Sequence, residues 1–190
     1  RDAANPTQRE ADMPLYIGID DTDDAHSAQG TGRLARMLAE HLSDAGEVWG
    51  VLRHQHPRLD GIPYTSNNSS ACIVLDIRES GADVSGLVDL AAKYVAARSA
   101  SGGDPGVCVL EDSRVDSSLV AFSLQTTGRR VEQRDAMAVV PRGRLLGLGG
   151  SNDGIIGAAA AVGLTRYGWC GRFIEFGAMR RLGRPERVEE

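Results

Sequence analysis

Cysteine is scarce in this chain. The 190 residues hold three, Cys72, Cys108 and Cys170, widely spaced and without a Cys-x-x-Cys pair. That spacing argues against a zinc site and a disulfide frame, and reads as small core residues in a reducing compartment, so a cytoplasmic protein is expected. No apolar stretch approaches the roughly 20 residues of a bilayer span, so no membrane association is expected. Basic residues are outnumbered, with 21 Lys and Arg against 26 Asp and Glu, a net charge of −5 and a pI near 5.4. The field of the whole chain therefore gives no reason to hold nucleic acid or an anionic membrane. The Walker phosphate loop, which needs Gly-Lys-Ser/Thr, is missing, and so is the dinucleotide Gly-x-Gly-x-x-Gly in a strand-turn-helix unit. No order of Ser, His and Asp compels a hydrolase. His26, His41, His54 and His56 lack metal-ligand spacing and are expected at the surface.

What is present is a dense group of acids. The run Tyr16-Ile17-Gly18-Ile19-Asp20-Asp21-Thr22-Asp23-Asp24 delivers four carboxylates in five residues after a short apolar segment. Asp and Thr extend buried strands poorly, so the strand should end at Ile19 with the acids crowded at its carboxyl end. Carboxylates so close repel, and a hard cation such as Mg2+ relieves them, taking few carboxylates and completing its shell with water and phosphate oxygens. A solvated acidic turn is the competing reading.

Two glycine-bearing helix starts accompany the acids. The first is Gln29-Gly30-Thr31-Gly32. A helix start offers unpaired N–H groups and a positive dipole end, glycine lets phosphate approach, and the Thr31 hydroxyl lies where a phosphate would sit. An ordinary N-cap threonine is the alternative. The second is Gly147-Leu148-Gly149-Gly150-Ser151-Asn152-Asp153-Gly154, which leads into an Ala-rich helix. Each loop is a weak signal; with the acidic strand end they make a set suited to metal and phosphate. The polar run Pro63 to Ser70, which contains Asn68, has amides and hydroxyls for a polar ligand and also fits a plain loop.

Along the chain, strands and helices alternate. Apolar spacing predicts helices over 31–42, 84–98, 117–127, 130–139 and 153–164, and strands over 15–19, 47–53, 71–77, 107–110, 145–148 and 172–179. This is an α/β chain of α+β type, with a mixed sheet and covering helices. Residues 1–12 are polar and read as a disordered lead-in or cloning remnant, and 186–190 as a tail. They flank one compact catalytic unit over 13–185, long enough for one sizeable core.

In order, GIDDTDD, the Gly-Thr-Gly helix start, Asn68 before a strand, Asp104-Pro105-Gly106-Val107, GLGGSNDGIIGAAAAVGL, and Phe173-Ile174-Glu175-Phe176 with Arg180 resemble the catalytic half of archaeal tRNA-isoleucine 2-agmatinylcytidine synthetase. The similarity runs from about Leu15 to Arg180. That family joins agmatine to C2 of a wobble cytidine in tRNA, using ATP to phosphorylate the base. The resemblance implies a kinase-like catalytic domain with a ferredoxin-like portion. It implies Asp20, Asp21 and Asp23 at a Mg-ATP site, and places Thr31 on the family's autophosphorylated threonine, given one extra residue in the loop. Asn68 falls on the Asn of the family's Thr-Arg-Gly-Asn loop, with Ser66 where the Arg would be. The family's Thr-Thr pair is Thr31-Gly32 here. The family continues into an OB-fold and a zinc ribbon that grip tRNA, and nothing after Arg180 encodes either.

The sequence therefore leads to an ATP- and Mg2+-dependent kinase- or ligase-type enzyme. Asp20, Asp21 and Asp23 are the expected metal ligands. Gly30, Thr31, Gly32, Asn68, Gly149, Gly150, Ser151, Asn152, Asp153 and Gly154 are the expected nucleotide contacts. Asp21, Thr31 and Glu175 are the candidate catalytic residues. A small-molecule acceptor, an amine such as agmatine among the choices, is expected, with no tight tRNA binding by this chain alone. Basic clusters stand at Arg129-Arg130, at Arg142 and Arg144, and at Arg180-Arg181 with Arg184, and spacing does not say whether they share a face. The rival readings are a catalytically silent nucleotide-binding or regulatory subunit, and a catalytic subunit of a tRNA-modifying complex.

Overall fold

The computed structural model describes residues 14–62, 67–77, 83–168 and 171–174. Its centre is a six-stranded sheet in the order β5-β4-β1-β3-β2-β6. The strands are β1 (Pro14–Asp20), β2 (Gly46–Gln55), β3 (Ser69–Ile77), β4 (Gly106–Glu111), β5 (Leu145–Gly147) and β6 (Arg172–Ile174). The helices are α1 (Thr31–His41), α2 (Val84–Ala96), α3 (Ser117–Gln125), α4 (Gln133–Val139) and α5 (Gly154–Gly168). The α+β class and the covering helices are as expected, and β1-α1-β2 and β3-α2-β4 form the two split units of a ferredoxin-like arrangement. The sheet is antiparallel in every described pairing, not mixed. The cause is the splitting: β3 lies between β1 and β2, and β1 lies between β3 and β4, so each parallel pair is parted by a strand of opposite sense.

Alternation along β1 sets the layers. Leu15, Ile17 and Ile19 face α1 and α2, whose apolar stripes supply Leu34, Leu38, Leu87 and Val95 to one core. Tyr16 faces the other way, into a second core that Cys72, Val74, Cys108 and Leu110 share with α3, α4 and the alanines of α5. Gly18 and Asp20 lie on this second face by the same period of two. Gly18 is needed there: a Cβ at this position would sit 2.0 Å from the carbonyl oxygen of Ala158. The small-residue run Gly157-Ala158-Ala159-Ala160-Ala161 lets α5 lie against β1 with its first turn over Asp20 and Gly106. A glycine inside a strand that permits such an approach is a packing device.

Strand register then gathers the loops. Asp20 is opposite Gly106, Ile19 is opposite Ala71, and Gln55 is opposite Ser69. The chain leaving β1, entering β3, leaving β2 and entering β4 thus meets at one end of the sheet. Of the predicted elements, the strand expected over 172–179 is seen as β6 over Arg172–Ile174, and its remainder falls outside the described residues, as do 1–12 and 186–190.

Candidate functional site

A pocket of about 430 Å3 opens at that end of the sheet. Its walls bring together Asp20, Asp21, Asp23 and Thr31 with Asn68 and Asp153. All six were expected from the sequence. It also receives His56, Arg129, Arg130, Gln133 and Arg134, which sequence reasoning did not assign to a site.

The acidic turn is built with some strain. Asp21 adopts φ of 54°, a left-handed conformation that aspartate tolerates better than most residues. Asp20 lies under α5, where a Cβ on Gly157 would fall 1.7 Å from its Oδ2. Desolvation, reinforced by the charges of Asp21 and Asp23, pushes the Asp20 carboxyl up to about 8, against a bond from the Asp21 N–H that favours ionisation. Asp21 is raised to about 6 by desolvation and then by Asp104, Asp23 and Asp153. Asp24 behaves differently. It accepts bonds from the Ser27 hydroxyl at 2.8 Å and the His26 N–H at 3.0 Å, is held below the usual carboxylate range chiefly by the former, and serves its own turn.

Thr31 joins the acids to the helix start. Its hydroxyl donates to Asp23 Oδ1 at 3.3 Å and accepts from the Thr22 hydroxyl at 3.1 Å. The N-cap of α1 is Gly30 and Thr31 is the first helical residue, so the threonine side chain is free of capping and turns toward the pocket. Gly30 and Gly32 flank it and are not in the pocket wall.

The second glycine loop is held by a residue 84 positions after Asp20. Asp104 Oδ1 accepts the Ser151 N–H at 2.9 Å and its Oδ2 accepts the Ser151 hydroxyl, while the Asp104 carbonyl takes the Gly154 N–H at 3.0 Å. Gly150 turns at φ of 61° beside the Asp104 carboxylate. The Ser151 and Gly154 N–H groups are therefore taken by Asp104, while Gly150, Ser151 and Asn152 stay exposed, and of the loop's predicted contacts only Asp153 lines the pocket. Asp153 in turn accepts the Gln133 side-chain amide at 2.6 Å, which ties α4 to the start of α5. Asn68 lines the pocket and donates to the Pro57 carbonyl at 2.8 Å. Glu175 lies outside the described residues.

Surface positions for all four histidines do not hold. His54 and His56 are buried, because β2 turns alternate residues beneath α3 and α5. His54 meets Thr165 Oγ1 at 2.8 Å, and His56 meets Ser70 Oγ at 2.8 Å and Thr126 Oγ1 at 3.5 Å. Burial and, next, the charge of His54 lower His56 to about 4, so it is neutral near pH 7.

Can this set of donors hold a metal? Among the described residues no group of three or more His, Cys, Asp or Glu side chains converges closely enough to enclose an ion. The set nevertheless suits a cation that takes few protein ligands, since Asp20 and Asp21 are partly buried beside like charge and a bound cation would relieve both. Asp104 was the neighbour not assigned beforehand; its signal was its place just before the strand that opposes Asp20.

No family model and no curated protein sequence matches the chain. Solved structures do. A crystal structure of TiaS in complex with tRNA and ATP superposes with a TM-score of 0.65 at 25% identity, over 80% of this chain and 36% of that one. A tRNA fluorescent labeling enzyme gives 0.63 at 25% identity, over 80% and 36%. Apo TiaS, an agmatidine synthetase of isoleucine tRNA, gives 0.62 at 24% identity, over 80% and 35%. The chain has a partial TiaS-like fold and spans about a third of the length of these proteins.

Proposed function

We propose that this chain is an ATP-dependent enzyme that activates an acceptor by phosphoryl or nucleotidyl transfer, with Mg2+ as its metal. The observation that carries this is the pocket itself, in which the acidic turn, Thr31, Asn68 and Asp153 converge at one end of the sheet. The TiaS-like fold supports it, since the similar structures include one with ATP bound and one with an ATP analogue and agmatine. Asp20, Asp21 and Asp23 would hold the metal, directly or through water. Bound there, Mg2+ would neutralise phosphate charge and orient the leaving group. Thr31, poised by Thr22 and Asp23, would donate its hydroxyl to a phosphate oxygen or accept the phosphoryl group transiently. Asn68 and Asp153 would frame the nucleotide.

The acceptor in this reading is a small molecule, and tRNA is not bound tightly by this chain alone. Cys72 and Cys108 are free and buried, which suits a reducing compartment, and the cytoplasm is the proposed location. Among the described residues no helix is long and apolar enough to cross a membrane. The test is to identify products after incubation with Mg-ATP and candidate amines. ADP would indicate a kinase-type step, and AMP with pyrophosphate a nucleotidyl transfer. Binding of ATP without either product would favour a silent nucleotide-binding subunit and reject the enzyme.

A further inference from the structure

Resting on that reading, we propose that Arg129 and Arg130, in the wall of this pocket, form an anion subsite for a phosphate or carboxylate of a small acceptor. The two arginines follow α3 in the loop that leads to α4, and both line the pocket and are exposed. Neither has an ion pair among the described residues. Among the described residues the Arg129 guanidinium bonds the neutral Gln125 amide oxygen and no acid. Arg130 stands by Gly61, whose φ of 78° and missing side chain leave room for the guanidinium: a Cβ there would lie 3.3 Å from Arg130 Nη1. Arg134, by contrast, is paired with Glu132 at 3.1 Å and does not contribute free charge.

The two charged regions do not cancel. Desolvation and then other aspartates raise Asp20 and Asp21, and among the described residues no arginine is one of the groups that shift them. Two guanidiniums in the wall of a pocket form an arrangement that recognises carboxylate or phosphate, often bidentately. A metal-bound nucleotide would satisfy the aspartates and leave the two arginines for a second, anionic group. The pocket volume suits a small molecule. A purely cationic amine would meet repulsion at these arginines.

The probe is inorganic phosphate, titrated into the full chain and followed by NMR of the arginine side-chain N–H signals, with binding of a non-hydrolysable ATP analogue in Mg2+ measured in parallel. Phosphate should shift Arg129 and Arg130, and the double variant Arg129→Gln, Arg130→Gln should weaken phosphate binding at least tenfold while changing the analogue's Kd less than twofold. The double lysine variant should retain most phosphate binding, since charge persists. Equal phosphate binding in wild type and the Gln variant would overturn the subsite. A tenfold loss of analogue affinity in that variant would also overturn it, because the arginines would then belong to the nucleotide. Displacement of phosphate by submicromolar total tRNA would overturn the small acceptor. Arginine-dependent phosphate binding in a chain that binds no ATP would sink the proposed function and leave the anion subsite standing.

Discussion

The antiparallel pair of β1 and β4 has carboxylates at both of its ends, Asp20 and Asp21 at one and Glu111 and Asp112 at the other, and the two ends treat them in opposite ways. Where β4 finishes, Glu111 meets Arg144 at 3.1 Å and Arg114 at 3.4 Å, and Asp112 meets Arg166 at 2.8 Å and the Tyr16 hydroxyl at 2.8 Å. Where β1 finishes, Asp20 and Asp21 have no ion pair among the described residues and are surrounded by further aspartates. Acids with partners on the protein hold the fold together. Buried acids with only like charge around them cost stability, and such groups in a cleft mark sites that await a ligand.

The largest effect should come from the unpaired end. Asp21→Asn should reduce ATP turnover by about 10³-fold, roughly 4 kcal/mol of barrier, with far-UV circular dichroism and melting temperature near the parent. Retained turnover would remove Asp21 from the chemistry and make the two ends alike. At the paired end, Arg144→Ala leaves Glu111, a largely buried acid, without its closer cation. Urea denaturation should show a loss of about 3 kcal/mol, with nucleotide affinity unchanged; a loss below about 0.5 kcal/mol would show that this pair is no more than a screened surface contact.

The third prediction has the opposite sign. The folded pKa of Asp20, about 8, exceeds its ordinary 3.8, so between these values the folded chain keeps a proton that the unfolded chain releases. Its contribution is fully favourable below about pH 4 and is lost as pH rises through about 8. Asp20→Asn should therefore raise stability at pH 8 without divalent cations, by on the order of 2 kcal/mol, and flatten the decline. Melting curves from pH 5 to 9 decide this, and an unchanged or steeper decline would contradict it. The smallest effect is expected for Thr31→Val, which removes the bonds to Thr22 and Asp23 and should cost about 1 kcal/mol. Intact mass after ATP treatment would show in the same experiment whether the wild-type threonine gains a phosphoryl group that the valine variant lacks.

Local pattern made much of this visible in the sequence. The apolar stretch from Leu15 to Ile19 followed by aspartates located the strand end, and the spacing of Leu34, Leu38 and Leu42 located α1. Long-range placement was less legible. Asp104 reaches the site through register with Asp20, and no local spacing carries that information. Arg129 and Arg130 were visible as a basic pair, but only the packing of α3 and α4 over the sheet turns them into the pocket. The histidines at 54 and 56 were misjudged because their partners arrive much later in the chain, Thr165 of α5 for His54 and Thr126 at the end of α3 for His56. The second glycine loop looked like a phosphate cradle, yet the Ser151 and Gly154 N–H groups are occupied by Asp104, a partner distant in sequence.

Central to the proposed function is that Asp20 and Asp21, at the end of β1, receive a metal-bound nucleotide. Calorimetric titration with a non-hydrolysable ATP analogue, with Mg2+ and with a chelator, in wild type and Asp21→Asn, tests it directly. Wild type should bind in Mg2+, and either the chelator or the substitution should weaken binding at least tenfold. One common affinity under all four conditions, or no binding under any, would contradict it.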